Sequence, residues 1–144
     1  MLIRDLLKGQ VTVSAEIQHT VLEIARVMVE LNIGAIPVLK DGRLVGIFSE
    51  RDLMKRVVVA GKNPAETPVS EVMTEDPLTV DPDDNVETCG TLMRRHGFRH
   101  LPVCQAGQLK GVVSLRDLLL HDLDAKHDEV RMMRAYLHST PDMA

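Results

Sequence analysis

The chain repeats itself. Residues 20–53 align with residues 85–118 at a constant offset of 65, and eleven of the 34 aligned positions are identical. Average residue usage would give roughly two or three. The densest stretch reads Gly42-Arg43-Leu44-Val45-Gly46-Ile47-Phe48-Ser49-Glu50-Arg51-Asp52-Leu53 against Gly107-Gln108-Leu109-Lys110-Gly111-Val112-Val113-Ser114-Leu115-Arg116-Asp117-Leu118. The match runs back through Pro37-Val38 and Pro102-Val103, and Met28 and Met93, to Val21 and Val86. Farther upstream Val11-Thr12-Val13 matches Leu78-Thr79-Val80 at offset 67, which places two extra residues in the first copy, around positions 15–19. A unit of about sixty residues is marginal as a core of its own. Two such units are therefore expected to pack as the pseudo-symmetric halves of one domain, with a cleft between them.

Each copy reads as β-α-β-β-α, an α/β (α+β) pattern. Residues 11–13 and 78–80 are short strand candidates. Val21, Ile24, Ala25, Met28 and Leu31 recur at helical spacing, as do Val86, Cys89 and Met93. Two alternating strands follow at 35–39 and 43–48, joined by Lys40-Asp41-Gly42, where Asp-Gly signals a hairpin. The copy uses Gln105-Ala106-Gly107, a weaker form of the same turn. Pro37 and Pro102 inside the strand patterns must sit at a sheet edge or an unpaired point, because proline has no N–H to donate. The second helices start at Ser49 and Ser114, and Thr67-Pro68 reads as an N-cap and first turn of a short helix to residue 73. The last helix, from about 115, can carry one apolar stripe through Leu118, Leu119, Leu123, Val130, Met133 and Leu137. The expected division is a first repeat at 1–60, a linker at 61–67, a second repeat at 68–124, and a helical extension and tail at 125–144.

Composition narrows the partners. Seventeen Lys and Arg against twenty-one Asp and Glu give a net charge of −4 with no basic block, which disfavours nucleic acid. Two Phe, one Tyr and no Trp leave little for stacking platforms. No apolar run approaches the ~18 residues of a membrane span, and the N-terminus has no signal-peptide pattern. Two isolated cysteines do not form a disulfide framework, so a cytoplasmic location is expected.

The string Gly-apolar-apolar-Ser-x-Arg-Asp occurs twice and has two readings. As structure, Ser-x-x-Asp is a helix start in which the hydroxyl takes an orphan N–H and the acid sits by the positive helix end. As function, the strand-to-helix turn offers N–H groups to an anion, and an ionised Asp accepts from both hydroxyls of a ribose.

In its order and duplication the chain resembles the cystathionine β-synthase (CBS) domain family in its tandem form, the Bateman module. The resemblance spans residues 3–120. It rests on Gly46 to Asp52 and Gly111 to Asp117, on Ala35-Ile36-Pro37-Val38 and His100-Leu101-Pro102-Val103, and on Val72-Met73-Thr74 with Leu78-Thr79-Val80. It implies two CBS repeats forming a non-catalytic signal-transduction module, with clefts for adenosine-containing ligands, that dimerises. It makes Asp52 and Asp117 ribose acceptors, with Ser49, Arg51, Ser114 and Arg116 close to ribose or phosphate. Ala35, Ile36 and Pro37, and His100, Leu101 and Pro102, would contact the nucleotide. Thr12-Val13 and Thr79-Val80 would flank an adenine, supported by Ile47 and Val112. Because clefts in related modules mix both repeats, Arg99 and His100 would approach the phosphates of a ligand whose ribose sits on Asp52. Arg suits phosphate as a fork of charge-assisted donors. Gly34-Ala35 stands where Arg99-His100 stands in the copy, so the two clefts are expected to be inequivalent.

The ligands implied are AMP, ADP or ATP, with NAD(H) the competing choice and S-adenosylmethionine less favoured; no cofactor is required. The expected partners are a second copy of the chain and an unidentified client protein. A ligand-free dimeric interaction scaffold, in which both Ser-x-x-Asp units only cap helices, is the alternative. His96, His100 and Cys104 fall short of a zinc site, which takes four ligands at recognisable spacings. No nucleophile-elbow string supports hydrolysis. Cys89 is expected in the core and Cys104 at a strand end, partly exposed.

Overall fold

The structure is a computed structural model and describes residues 1–139, without the side chains of 123–125 and 136–139. Leu123 and Leu137 of the expected stripe fall outside that description, as does the tail at 140–144.

The helical periodicity of the first copy becomes α2 (Val21–Leu31), capped by the Thr20 hydroxyl and closed at Asn32 in the left-handed region. Its counterpart α4 (Val86–His96) is capped by Asn85 and closed by Gly97 at φ 72°. Their buried faces, Val21, Ile24 and Met28 against Val86, Cys89 and Met93, follow the predicted stripes, except that Leu31 of the first stripe is 49% exposed and Ala25 only half-buried. Each helix leads into a hairpin, β2 (Ala35–Lys40) with β3 (Arg43–Ser49) and β5 (His100–Gln105) with β6 (Gln108–Ser114). In both loops the two central residues have positive φ, Asp41 and Gly42 in one and Ala106 and Gly107 in the other. That geometry matches the strands' twist, so the turn persists although Ala106 has replaced the aspartate. Pro102 also fits its strand. Its carbonyl accepts from Val80 N–H at 3.0 Å, so its nitrogen faces the same side, at the end of a one-residue bridge where no acceptor is needed.

Four local expectations are overturned. Residues 11–13 are not a strand; β1 is Ala15–Glu16, parallel to β2, with Ala15 opposite Val38. Residues 78–80 contribute only the single bridge from Val80 to Val103. Ala15 is therefore the counterpart of Val80, and the offset of 65 continues without two extra residues at 15–19. The β-branched run at 11–13 misled because Val11 is 86% exposed, whereas the unremarkable Ala15 is buried against the sheet. The helix expected from Thr67-Pro68 is a single 3-10 turn, Val69–Glu71, with Pro68 as its cap.

The largest departure is long-range. A short helix α1 (Ile3–Leu6) packs into the core of the second half, where Ile3 is fully buried with Val86, Leu101 and Val113. Ile3 N–H donates to Asp84 and Val86 N–H donates to Met1, at 2.8 and 3.1 Å. The first half receives the equivalent from residues 67–73: Val69 N–H donates to His19 and Val21 N–H to Thr67, at 2.8 and 2.9 Å, with Val69, Val72 and Met73 in its core. Each half is thus completed by the segment that precedes the other. The repeated glycines follow from this crossing. A Cβ on Gly46 would lie 2.4 Å from Met73 Sδ, and one on Gly111 would lie 2.9 Å from Leu7 Cδ2.

Around these cores the sheets are small. β1-β2-β3 is extended by β4 (Thr74–Glu75), which pairs antiparallel with β3, and β5-β6 forms the second sheet. β3 and β6 meet between the halves. From Ser49 the chain enters α3 (Glu50–Asp52), which widens into a π-helix at Leu53–Val58, and from Ser114 it enters α5 (Leu115–Ser139). No helix among the described residues is long and apolar enough to cross a membrane.

Candidate functional site

Ser49 ends β3 and caps α3, and this places Asp52 on the floor of a cavity of about 180 Å³ between the repeats. One wall is Ile47, Ser49, Glu50, Arg51, Asp52 and Thr74; the other is Gly34 with Gly97, Phe98, Arg99 and His100. The cavity therefore joins the Asp52 string of the first repeat to the Arg99-His100 pair of the second. Gly34 makes room for the imidazole, since a Cβ there would sit 3.2 Å from His100 Cε1.

Asp52 is only 8% exposed and well held. Its Oδ2 accepts from Ser49 N–H at 3.0 Å and Ser49 Oγ at 3.1 Å, while its own N–H donates to Ser49 Oγ at 3.2 Å. The capping reading of Ser-x-x-Asp is thus realised. Oδ1 accepts from Thr74 Oγ1 at 3.1 Å and lies 3.7 Å from Arg56 Nε, while Arg56 Nη1 donates to the Met73 carbonyl at 2.7 Å. Thr74 was read only as part of the Val72-Met73-Thr74 string and Arg56 carried no sequence signal, because both reach Asp52 through the crossing segment and the π-helical turn.

Asp117 has a barer setting. It repeats the exchange with Ser114, at 2.9 and 3.1 Å, but no other described side chain donates to it. The residues at the Thr74 and Arg56 positions are Lys8, which pairs with Asp5 at 3.4 Å, and His121. The two acids thus differ in surroundings as well as in the cation across the cleft.

Electrostatically the lining balances, with Arg51 and Arg99 against Glu50 and Asp52. Burial holds the His100 imidazole below its ordinary pKa, and Arg99 pushes the same way, against the opposing pull of Glu50 and Asp117. Phe98 is 41% exposed and stacks on His96, with ring centroids 5.6 Å apart and planes 14° from parallel. The low aromatic count gave no reason to expect an aromatic in the lining.

Of the residues expected at a site, Ile47, Ser49, Arg51, Asp52, Arg99 and His100 line this cavity. Ala35, Ile36, Pro37, Val80, Leu101 and Pro102 are buried in the sheets. Thr12 and Thr79 are exposed, and the Thr12 hydroxyl donates to the Lys110 carbonyl at 3.2 Å. Val13 packs on the first core. Because Ala15 matches Val80, the counterpart of Thr79-Val80 is Ser14-Ala15 rather than Thr12-Val13. Val112, Ser114, Arg116 and Asp117 stand at the equivalent places of the second half. No cluster of three His, Cys, Asp or Glu among the described residues is arranged to hold a metal. Cys89 is buried, which pushes its thiol up to about 11, with Asp84 adding to the shift.

Two β-α-β-β-α repeats, each completed by the other's leading segment and facing across a cleft, define a tandem-repeat module. The family model for the CBS domain matches twice, at residues 3–59 and 69–124, and the chain belongs to that family. It is 36% identical over 122 residues to the CBS domain-containing protein YhcV of Bacillus subtilis, covering 84% of this chain and 85% of that protein. The solved CBS domain NE2398 superposes with a TM-score of 0.81 at 34% identity, over 85% of this chain and 98% of that one. The CBS domain protein PAE2072 from Pyrobaculum aerophilum, solved in complex with AMP, gives a TM-score of 0.75 at 30% identity, over 84% and 97% of the two chains.

Proposed function

We propose that this chain is a regulatory signal-transduction module that binds an adenosine nucleotide (AMP, ADP or ATP) between its CBS repeats and transmits occupancy as a change in geometry or assembly, without catalysis. The observation that carries this reading is the single cavity shared by Asp52 and Arg99, from different repeats. Asp52 takes a ribose hydroxyl and Ile47 packs on the base. Arg99 takes phosphate; among the described residues its guanidinium has no partner of its own. A nucleotide held by both walls favours one relative placement of the halves, and its effect is bounded by its differential affinity for the two placements. The AMP complex of PAE2072 supports an adenosine ligand for the fold. The module works in the cytoplasm as a homodimer acting on a client protein.

One observation favours a second reading, a ligand-free dimeric scaffold: Asp52 is already satisfied by Ser49 and Thr74. Thermal unfolding of extensively dialysed protein with AMP, ADP, ATP, NAD+, NADH or S-adenosylmethionine separates the two. A ligand at a hundred times its Kd adds about 2.7 kcal/mol, a rise of several degrees. The sensor reading expects that rise in wild type and its loss in Asp52→Asn and Arg99→Gln. A flat response in nucleotide-free wild type establishes the scaffold.

A further inference from the structure

We propose that the C-terminal part of α5 pairs in parallel with α5 of a second copy of the chain, in a coiled coil clasped by Glu129 of one copy and Arg134 of the other. This rests on the homodimer of the reading above and names a seam for it outside the CBS repeats. The second CBS match ends at residue 124, but α5 runs on to Ser139. Every residue from 126 to 135 is exposed, so the repeats do not cover this stretch. A helical run shorter than about 15 residues, held by nothing else, is marginal in water.

The apolar pattern of the run is that of a two-stranded seam. Positions 119, 123, 126, 130, 133 and 137 are spaced alternately by four and three, the a/d repeat of a coiled coil. Five of them are apolar: Leu119, Leu123, Val130, Met133 and Leu137. The sixth is Lys126, and one polar residue in a seam fixes register at some cost in stability. Leu118 turns into the second core at 5% exposure, whereas Leu119, Val130 and Met133 are 54%, 44% and 65% exposed. The seam is therefore a face that the fold leaves open, apart from the one that packs on the body.

The flanking charges choose the partner and its direction. With 123, 130 and 137 at a, Asp122 and Glu129 fall at g, and His127 and Arg134 at e. In a parallel pair each g position meets the e position five residues on in the other helix. That sets Asp122 against His127 and Glu129 against Arg134. In an antiparallel pair g meets g and e meets e, so acids face acids and Arg134 faces His127 or Arg134. Arg134 also has no acid three or four residues away on its own helix, where Val130, Arg131, Leu137 and His138 stand. A parallel second copy supplies one.

The test is disulfide trapping in the full chain under mild oxidation. Met133→Cys and Lys126→Cys each place a thiol in the seam, and Arg131→Cys places one on the outer side of the helix. All three side chains are exposed, and wild type gives the background from Cys89 and Cys104. Parallel pairing expects covalent dimers from both seam variants and several-fold fewer from Arg131→Cys. The seam sites are seven residues apart, about 10 Å along the helix, so an antiparallel pair traps one of them at most. Arg134→Glu should cut the Met133→Cys yield, and adding Glu129→Arg should restore it. Equal trapping at 131 and 133, trapping at one seam site alone, or failure of the charge swap to restore it overturns the inference. If sedimentation shows a dimer that no thiol traps, the homodimer stands on another surface and only this seam falls. If the chain sediments as a monomer, both fall.

Discussion

Truncating Ile3 to alanine tests the crossing of the two halves. Ile3 lies near the chain's start, where residues are usually frayed, yet it has no exposed surface. The change removes three carbons, worth about 2.4 kcal/mol at ~0.8 kcal/mol each, and the cavity left among Val86, Leu101 and Val113 raises the loss to roughly 3–4 kcal/mol. For a chain of this length that lowers the melting temperature by roughly 10 °C. The assay is thermal unfolding followed by circular dichroism, with Val11→Ala as control, since Val11 is 86% exposed and should cost under about 0.5 kcal/mol. Hydrogen exchange on the same variant should show protection falling first in β5 and β6, not in β2 and β3. An Ile3→Ala protein that melts like the Val11→Ala control would refute the docking of α1 in the second half.

Other consequences are testable in the same way. Ala106 occupies the hairpin turn at φ 51°, a conformation costing an L residue about 1–2 kcal/mol. Ala106→Gly should raise the denaturant midpoint, by about 0.5–1 kcal/mol after glycine's extra unfolded-state entropy. His100 is held below its unfolded value of 6.5, chiefly by burial. The unfolded chain therefore binds more protons between the two values, and stability falls as the pH drops below about 6.5 and rises again towards neutrality. Melting curves between about pH 5 and 7.5 should show a shallower acid slope for His100→Gln than for wild type; equal slopes would remove His100 from the acid response.

What the sequence made legible was local or duplicated. The stripes of α2 and α4, the hairpins and the Ser49 and Ser114 caps each depend on neighbours a few residues away, and each appears twice. The strand next to β2 was misplaced because its signal is not local. Ala15 earns its position by contact with Val38, while Val11-Thr12-Val13 has strand-like side chains and no partner strand. The exchange of leading segments left no periodic trace either, since Ile3 and Val69 are matched by their spatial roles and not by a motif. The same reasoning explains the candidate site. Asp52 and Ser49 were legible from the duplicated string and Arg99 from the family resemblance, but Thr74 and Arg56 reach Asp52 only once residues 69–73 have crossed to the first half. Phe98 was missed because a count of aromatics says nothing about where a single ring is displayed.

The exchanged segments also set an order of events during synthesis. Residues 3–7 leave the ribosome before their hydrogen-bond partners around Pro82 and Asp84, which follow some eighty residues later. At about 5–20 residues per second that is roughly 4–16 s in which Ile3, Leu6 and Leu7 have no core to enter. The first half waits only for Val69, Val72 and Met73 of its own interior, which leave the ribosome ahead of Pro82 and Asp84. The first half is therefore contiguous in the chain and the second is not. The nascent chain passes through a stage at which the first interior can close while the second still lacks its strands, and the second half assembles last around the waiting α1.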